Sequence, residues 1–322
     1  LLFGVRFNPD ALGLERLDEL LLVGPDDAVD DLAVAADDEH RGDPTGGAIT
    51  VAGNKNALVL QSAPASVTGS LSLTGSCVSA QFSVPTSTST PTLAGQLAGI
   101  SITNGNGAVY SPTGIVSIGQ TNRATQKPSV LVTSGINLGT FGTSYAGFID
   151  LGNNDLIAHG ISESTVRSEV AAWYNGGTPA TIGIGSTAPG AGTGLTTLAV
   201  VGNGVGGGAT LYGSYDGVPV TAADTIVKYT YFGDTNLDGV VDASDLANTL
   251  AGINGGLTGW VNGDFNYDGA ANGTDLNLLL ASLSGQSISY GNGDSTSGAV
   301  PEPSGLAVLA LAVPLMSRRR RV

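Results

Sequence analysis

One cysteine, Cys77, stands in the whole chain, so no internal disulfide can form and stability must come from elsewhere. Positive charge is also scarce: 12 Lys and Arg face 27 Asp and Glu, a net charge of −15. Nucleic-acid phosphates require clustered Lys and Arg, so that class of partner is excluded. Carboxylates are missing from one long stretch, with none between Pro44 and Ile149. Glycoside hydrolysis generally needs two carboxylates flanking the bond. The β-patterned region offers only Asp150, Asp155, Glu163, Glu169, Asp216 and Asp224, and no two of these are marked as a pair. Histidine is limited to His40, in an acidic stretch, and His159, which has no Gly-x-Ser-x-Gly elbow beside it. Aromatic content is 6 %, and the cluster Tyr212, Tyr215, Tyr229 and Tyr231 reads first as strand packing, with stacking on sugar rings as the other use.

Glycine and small apolar residues are abundant: 49 glycines and 41 % hydrophobic content point to a β-rich body with many turns. Between residues 45 and 231 short period-2 runs recur, among them Ala57–Gln61, Ser70–Leu73, Val78–Val84, Gly114–Ile118, Ser129–Thr133 and Thr225–Phe232. Such runs predict a mainly β body, either a sandwich or a parallel β-solenoid. The absence of a fixed repeat tips the reading toward the sandwich. One helix interrupts it, at 162–174, with Val166, Val170 and Trp173 on one face and Gly176 beyond its end. Residues 1–44 read as a separate acidic segment, with a short helix over 8–22 and a solvated run of carboxylates from Asp26 to Asp43. The chain opens Leu1-Leu-Phe-Gly-Val-Arg-Phe7, with no charged n-region and apolar run of signal-peptide type, so a preceding stretch is expected.

The most specific chemistry lies at 234–245 and 264–275, where two 12-residue stretches fit the ligand spacing of an EF-hand calcium loop. A hard cation such as Ca²⁺ takes six to eight oxygens, drawn from loop positions 1, 3, 5, 7, 9 and 12, and Gly at position 6 allows the turn. The first set is Asp234, Asn236, Asp238, the Val240 carbonyl, Asp242 and Asp245. The second is Asp264, Asn266, Asp268, the Ala270 carbonyl, Asn272 and Asp275. Each loop runs into an apolar-periodic stretch, with Leu246 and Leu250 in the first copy and Leu276, Leu279, Leu280 and Leu283 in the second. Two loop-helix units with Asp at position 12 and a hydrophobe at position 8 resemble the type I dockerin domain, over residues 232–285. That resemblance implies a small α-helical module holding two Ca²⁺ ions and docking onto a cohesin-like or surface scaffold protein. The family's specificity positions correspond to Ala243, Ser244, Gly273 and Thr274, and neither following helix contains Lys or Arg.

After a flexible linker at 286–299, Val300-Pro-Glu-Pro303 precedes an apolar span and four arginines. Pro301, Glu302, Pro303 and Arg318, Arg319, Arg320 and Arg321 resemble the PEP-CTERM sorting signal. The resemblance implies export, processing by an exosortase-type enzyme and transient membrane contact through the tail. The 13 residues from Ser304 to Met316 would rise only about 20 Å as a C-terminal hydrophobic helix, short of the ~30 Å hydrocarbon core. Such a tail suits temporary retention, with the arginines on the cytoplasmic side. The stretch from Phe148 through Tyr231 into the loops is similar to the C-terminal part of large planctomycete surface proteins.

Together these readings describe a non-catalytic exported cell-surface or extracellular-matrix protein with a calcium-stabilised module and a removable tail. The alternative is a glycan-binding or glycoside hydrolase accessory protein, facing extracellular polysaccharide and docked through 232–285. The first loop offers four carboxylates and the second three, Asn272 replacing one, and position 8 is Val241 in one and the smaller Ala271 in the other. Ligand charge tunes calcium affinity, so the first site is expected to fill before the second, and calorimetry returning equal stepwise affinities would contradict this.

Overall fold

The computed structural model describes residues 114–141, 144–204 and 209–291, and outside them the strands at 20–23, 34–36, 49–54, 57–60, 70–76, 78–82, 92–97, 99–104 and 296–297. Among these residues the chain is mixed α/β, with several parallel and mixed sheets and three α-helices. None of its sheets closes into a barrel, and no described helix is long and apolar enough to cross a membrane.

Strands form where the period-2 runs place them, at Ala57–Leu60, Ser70–Ser76, Val78–Phe82, Gly114–Ile118, Ser129–Thr133 and Thr225–Tyr231. One sheet aligns Leu20–Val23, Ala57–Leu60, Val78–Phe82, Gly114–Ile118, Gly147–Asp150 and Gly183–Gly185, parallel after its first pair. A second aligns Val34–Ala36, Ile49–Asn54, Ser70–Ser76, Gly99–Asn104 and Ile136–Asn137, again parallel after the first pair. The third takes Thr92–Leu97, Ser129–Thr133 and Asp155–Ala158 in parallel, then turns antiparallel through Thr225–Tyr231 and Thr196–Gly202. The hairpin-built antiparallel sheets of a sandwich are therefore not what these strands make. The chain visits the sheets in rotation, and strands of the second sheet start at Ile49, Ser70, Gly99 and Ile136. Each interval is longer than the one before, which is why no fixed repeat is visible in the sequence.

Parallel register stacks like on like. Leu71 pairs with Ile100, Leu73 with Ile102, Leu131 with Leu156 and Val132 with Ile157, every one of them buried. Burying an aliphatic side chain of this size stabilises by about 1.5–3 kcal/mol, so each pass extends one core. Buried Asn154 ties the turns between passes: its Oδ1 accepts from the Ser129 amide (3.0 Å), and its Nδ2 donates to the carbonyls of Gly119 (2.8 Å) and Leu151 (3.0 Å).

The strands Leu20–Val23 and Val34–Ala36 lie within the N-terminal segment and pair with Ala57–Leu60 and Ile49–Asn54. Residues 20–22 are thus extended strand, paired with residues 58–60, and not the end of a helix. The remainder of the expected 8–22 helix, most of the acidic run, and Pro301, Glu302, Pro303 and Arg318 to Arg321 lie outside the described residues. Strand Thr296–Ser297, in the expected linker, pairs with Tyr212–Tyr215.

Helix α1, Glu163–Tyr174, begins where Ser162 Oγ accepts from the Thr165 amide and ends at Asn175, in the left-handed region at φ 45°. Its buried face of Val166, Val170 and Trp173 covers Gly183–Gly185 and Thr196–Gly202. Gly185 makes room for the indole, since a Cβ there would lie 2.1 Å from Trp173 Cδ1. The same face carries Glu169, 4 % exposed, whose Oε2 accepts no hydrogen bond. Burial lifts this carboxyl to about 7. A carboxyl whose folded value is raised favours the fold below its unfolded value and loses that contribution as pH rises through about 7. Glu169→Gln should therefore gain on the parent chain by up to roughly 3 kcal/mol between about pH 4 and pH 8. Denaturant unfolding of both proteins across that range measures it, and parallel stability curves would refute it.

Candidate metal centre

The loops at 234–245 and 264–275 share one turn geometry and several of its hydrogen bonds. In each, the Asn at position 3 accepts from the amide at position 5, Asp238 N to Asn236 Oδ1 at 3.0 Å and Asp268 N to Asn266 Oδ1 at 2.9 Å. The Asp at position 5 accepts from the amide at position 7, from Val240 at 2.9 Å and Ala270 at 3.0 Å. Position 4 turns left-handed, Leu237 at φ 57° and Tyr267 at φ 61°, followed by Gly239 and Gly269 at φ 83° and 90°. The turn at position 6 requires glycine for that reason.

Position 12 fastens each loop to its helix. Asp245 Oδ1 accepts from the Thr235 amide (2.8 Å) and its Oδ2 from the Asp242 amide (2.9 Å). Asp275 does the same with Phe265 (2.9 Å) and Asn272 (3.0 Å). Asp242 and Asn272 cap helix α2, Ala243–Gly255, and helix α3, Gly273–Gly285, each closing a capping box with its position 12 carboxylate. Positions 9 and 12, expected from the sequence as ligands, therefore start a helix, a role that the spacing alone did not separate from metal binding. The position 8 residues are hydrogen-bonded to segments outside their own loops. Val241 N donates to Gln286 Oε1 (2.9 Å) and Gln286 Nε2 to the Val241 carbonyl (2.7 Å), while Ala271 N donates to Leu257 (3.3 Å). Each loop is held by a residue just beyond the other loop's helix.

Position 1 is where the arrangement is electrostatically incomplete. Asp234 and Asp264 are buried, and Asp234 Oδ1 and both carboxylate oxygens of Asp264 accept no hydrogen bond. Asp234 Oδ2 does accept, from Thr230 Oγ1 (2.5 Å) and the Gly239 amide (2.9 Å). Burial lifts the Asp234 carboxyl to about 7, with Lys228 and Thr230 opposing and the charges of Asp245 and Asp238 adding to the rise. Asp245 and Asp275 are raised too, chiefly by burial. By contrast Asn236, Asp238, Asp242 and Asp268 are exposed. No group of three or more His, Cys, Asp or Glu is gathered into a metal cage among the described residues, and an EF-hand-type set also draws on Asn side chains and carbonyls.

Other sequence candidates are accounted for structurally. Tyr212, Tyr215, Tyr229 and Tyr231 are all buried, and Tyr290 stacks edge-on against the last two at 5.2 and 4.9 Å. His159 Nδ1 pairs with Asp224 (3.1 Å), which also accepts from the Thr221 and Gly160 amides. Asp150 accepts from Gly152 and Thr187. Along the apolar-periodic stretches only Leu279 is fully buried, whereas Leu250, Leu280 and Leu283, with Leu257 and Val261, are the exposed large hydrophobics of the described residues. Sequence reasoning overlooked Trp260, whose indole donates to the Asp234 carbonyl (2.6 Å), and the buried Lys228, a charged residue inside an otherwise strand-forming run.

Fold and site define a mixed α/β chain carrying a duplicated, carboxylate-rich loop-helix unit. No protein-family model matches the chain, and no curated protein or solved structure matches it either.

If a cation completes position 1, Asp264→Asn should change sign with calcium. In chelator it removes a buried carboxylate that has no donor, so the melting temperature rises; in excess calcium it removes a ligand, so the melting temperature falls. Thermal melts in the two buffers decide, and a shift of the same sign in both would exclude the metal.

Proposed function

We propose that residues 232–285 hold two Ca²⁺ ions and that the protein is a non-catalytic structural component of a cell surface or extracellular matrix. The observation carrying this reading is the pair of buried position 1 carboxylates, Asp234 and Asp264, with oxygens that no donor meets. Leaving such charge uncompensated costs several kcal/mol, and a divalent cation supplies the compensation. The residues that would hold the ions are Asp234, Asn236, Asp238, Val240, Asp242 and Asp245, and Asp264, Asn266, Asp268, Ala270, Asn272 and Asp275, an all-oxygen set suited to a hard cation. The chain's own contribution is to pre-form the turns and cap the helices, so that the ion meets an ordered loop.

The same proposal takes the body as a β-solenoid, supported by strands that return to each of three sheets in parallel register. A dockerin-like role, attaching the body to a scaffold, is supported by the five exposed large hydrophobics between Leu250 and Leu283. Export, with the tail at Pro301 to Arg321 removed by an exosortase-type enzyme, rests on the sequence motif.

Isothermal calorimetry of the full chain with calcium, paired with thermal melts in calcium and in chelator, tests the reading. Two bound ions and a higher melting temperature in calcium are expected. Absence of heat and an unchanged melt would remove the calcium function.

A further inference from the structure

The chain that leaves α3 turns back over the first loop and grips its backbone on both sides of Val240. Gln286, at the C-terminal cap of the helix, accepts at Oε1 from the Val241 amide (2.9 Å) and donates from Nε2 to the Val241 carbonyl (2.7 Å). Four residues on, the Tyr290 amide donates to the Gly239 carbonyl (2.9 Å). A peptide unit is planar, so the Val241 N–H and the Val240 carbonyl turn together, and holding one fixes the direction of the other. The Gly239 carbonyl shares a plane with the Val240 N–H in the same way, and that N–H donates to Asp238 (2.9 Å). Both peptide planes flanking position 7 are therefore held by Gln286 and Tyr290.

The gripping segment is itself anchored to the body. The Ser287 and Ile288 amides donate to the Tyr231 hydroxyl (3.1 and 3.3 Å), and the Tyr290 carbonyl accepts from Arg123 (3.2 Å). Its fit over the loop is close, since a Cβ on Gly239 would lie 2.1 Å from the Tyr290 carbonyl carbon. The second loop has no such cover: among the described residues, nothing beyond its chain neighbours comes within 4 Å of a Cβ placed on Gly269. There the Ala271 amide makes one longer bond, to the Leu257 carbonyl (3.3 Å), and the Ala270 carbonyl at position 7 accepts from the Asn272 side chain (3.0 Å).

We propose that residues 286–291 form a strap that positions the first calcium site and not the second, and that calcium bound there locks the strap onto the body in return. The inference rests on the calcium reading of the loops. Gln286 and Tyr290 are positioning residues: they supply no ligand, but they leave the Val240 carbonyl little freedom to lose when an ion arrives, and such preorganisation raises affinity. Ligand charge already favours the first loop, and the strap adds a preference that depends on no carboxylate. Linkage makes the effect reciprocal, so the factor by which the strap tightens calcium is the factor by which calcium tightens the strap.

Calorimetry of the full chain with calcium chloride tests this through Gln286→Ala, which removes no ligand. Two backgrounds separate the sites: Asp264→Asn leaves the first loop to report, and Asp234→Asn leaves the second. Gln286→Ala should weaken calcium about tenfold in the first background, where two hydrogen bonds are lost, and should leave the second background unchanged. The reciprocal arm needs no change to the strap. Calcium should slow chymotryptic cleavage after Tyr290 in the parent chain and in Asp264→Asn, but not in Asp234→Asn. No calcium heat from the parent chain would overturn the strap and the calcium reading together. Two bound ions, with Gln286→Ala silent in both backgrounds or weakening both equally, would overturn the strap alone, as would protection of Tyr290 that survives Asp234→Asn.

Discussion

A carboxylate taken out of water must be met by donors, a proton or a cation, and that constraint organises the C-terminal half of this chain. Asp150, Asp224, Asp245 and Asp275 are met by backbone amides placed at turns and helix starts. Asp155, Asp216, Asp234 and Asp264 keep oxygens that no hydrogen bond reaches. The cationic side chains buried nearby, Lys228 and Arg123, are fewer than these carboxylates. A net charge of −15 makes the deficit general, so the compensation has to be a proton or a cation from outside the chain.

The parts of the structure legible in the sequence are those governed by local rules. Period-2 alternation located the strands, and Val166, Val170 and Trp173 with Gly176 beyond them located α1, because amphipathicity and stop signals act over a few residues. The loop spacing likewise located Asp234, Gly239 and Asp245 in geometry that matches their counterparts Asp264, Gly269 and Asp275. What could not be read was pairing. Whether Leu71 lies beside Ile100 or in a hairpin depends on residues far apart in the chain, and passes of unequal length leave no period to detect.

Side-chain partnership across elements was equally hidden. Val241 and Ala271 are each tied to the segment beyond the opposite helix, because Gln286 and Leu257 follow helices that end there. Lys228 sits in a run of Val, Tyr and Thr that reads as an ordinary strand, and nothing in that run says that the lysine is fully buried. Asp216-Gly217 carries a strong hairpin signal, but nothing in the dipeptide says that the turn faces inward.

The loop unit is not a separable appendage to the body. The Tyr267 hydroxyl donates to the Leu198 carbonyl and Ser282 Oγ to the Leu195 carbonyl (3.2 Å), both at the strand that flanks Thr225–Tyr231. Tyr212 donates to the Asn236 carbonyl (2.5 Å) and Thr230 to Asp234 (2.5 Å). Arg123 reaches from the body to the Tyr290 carbonyl, beyond α3 (3.2 Å). Ordering the first loop therefore fixes Thr225–Tyr231 directly, through Thr230 and the backbone that enters at Asp234. The strand that receives this constraint is the one that buries Lys228. Asp234 and Lys228 each feel the other's charge, and the strand in turn holds Asp234 at the head of the loop, so loop and body stabilise each other.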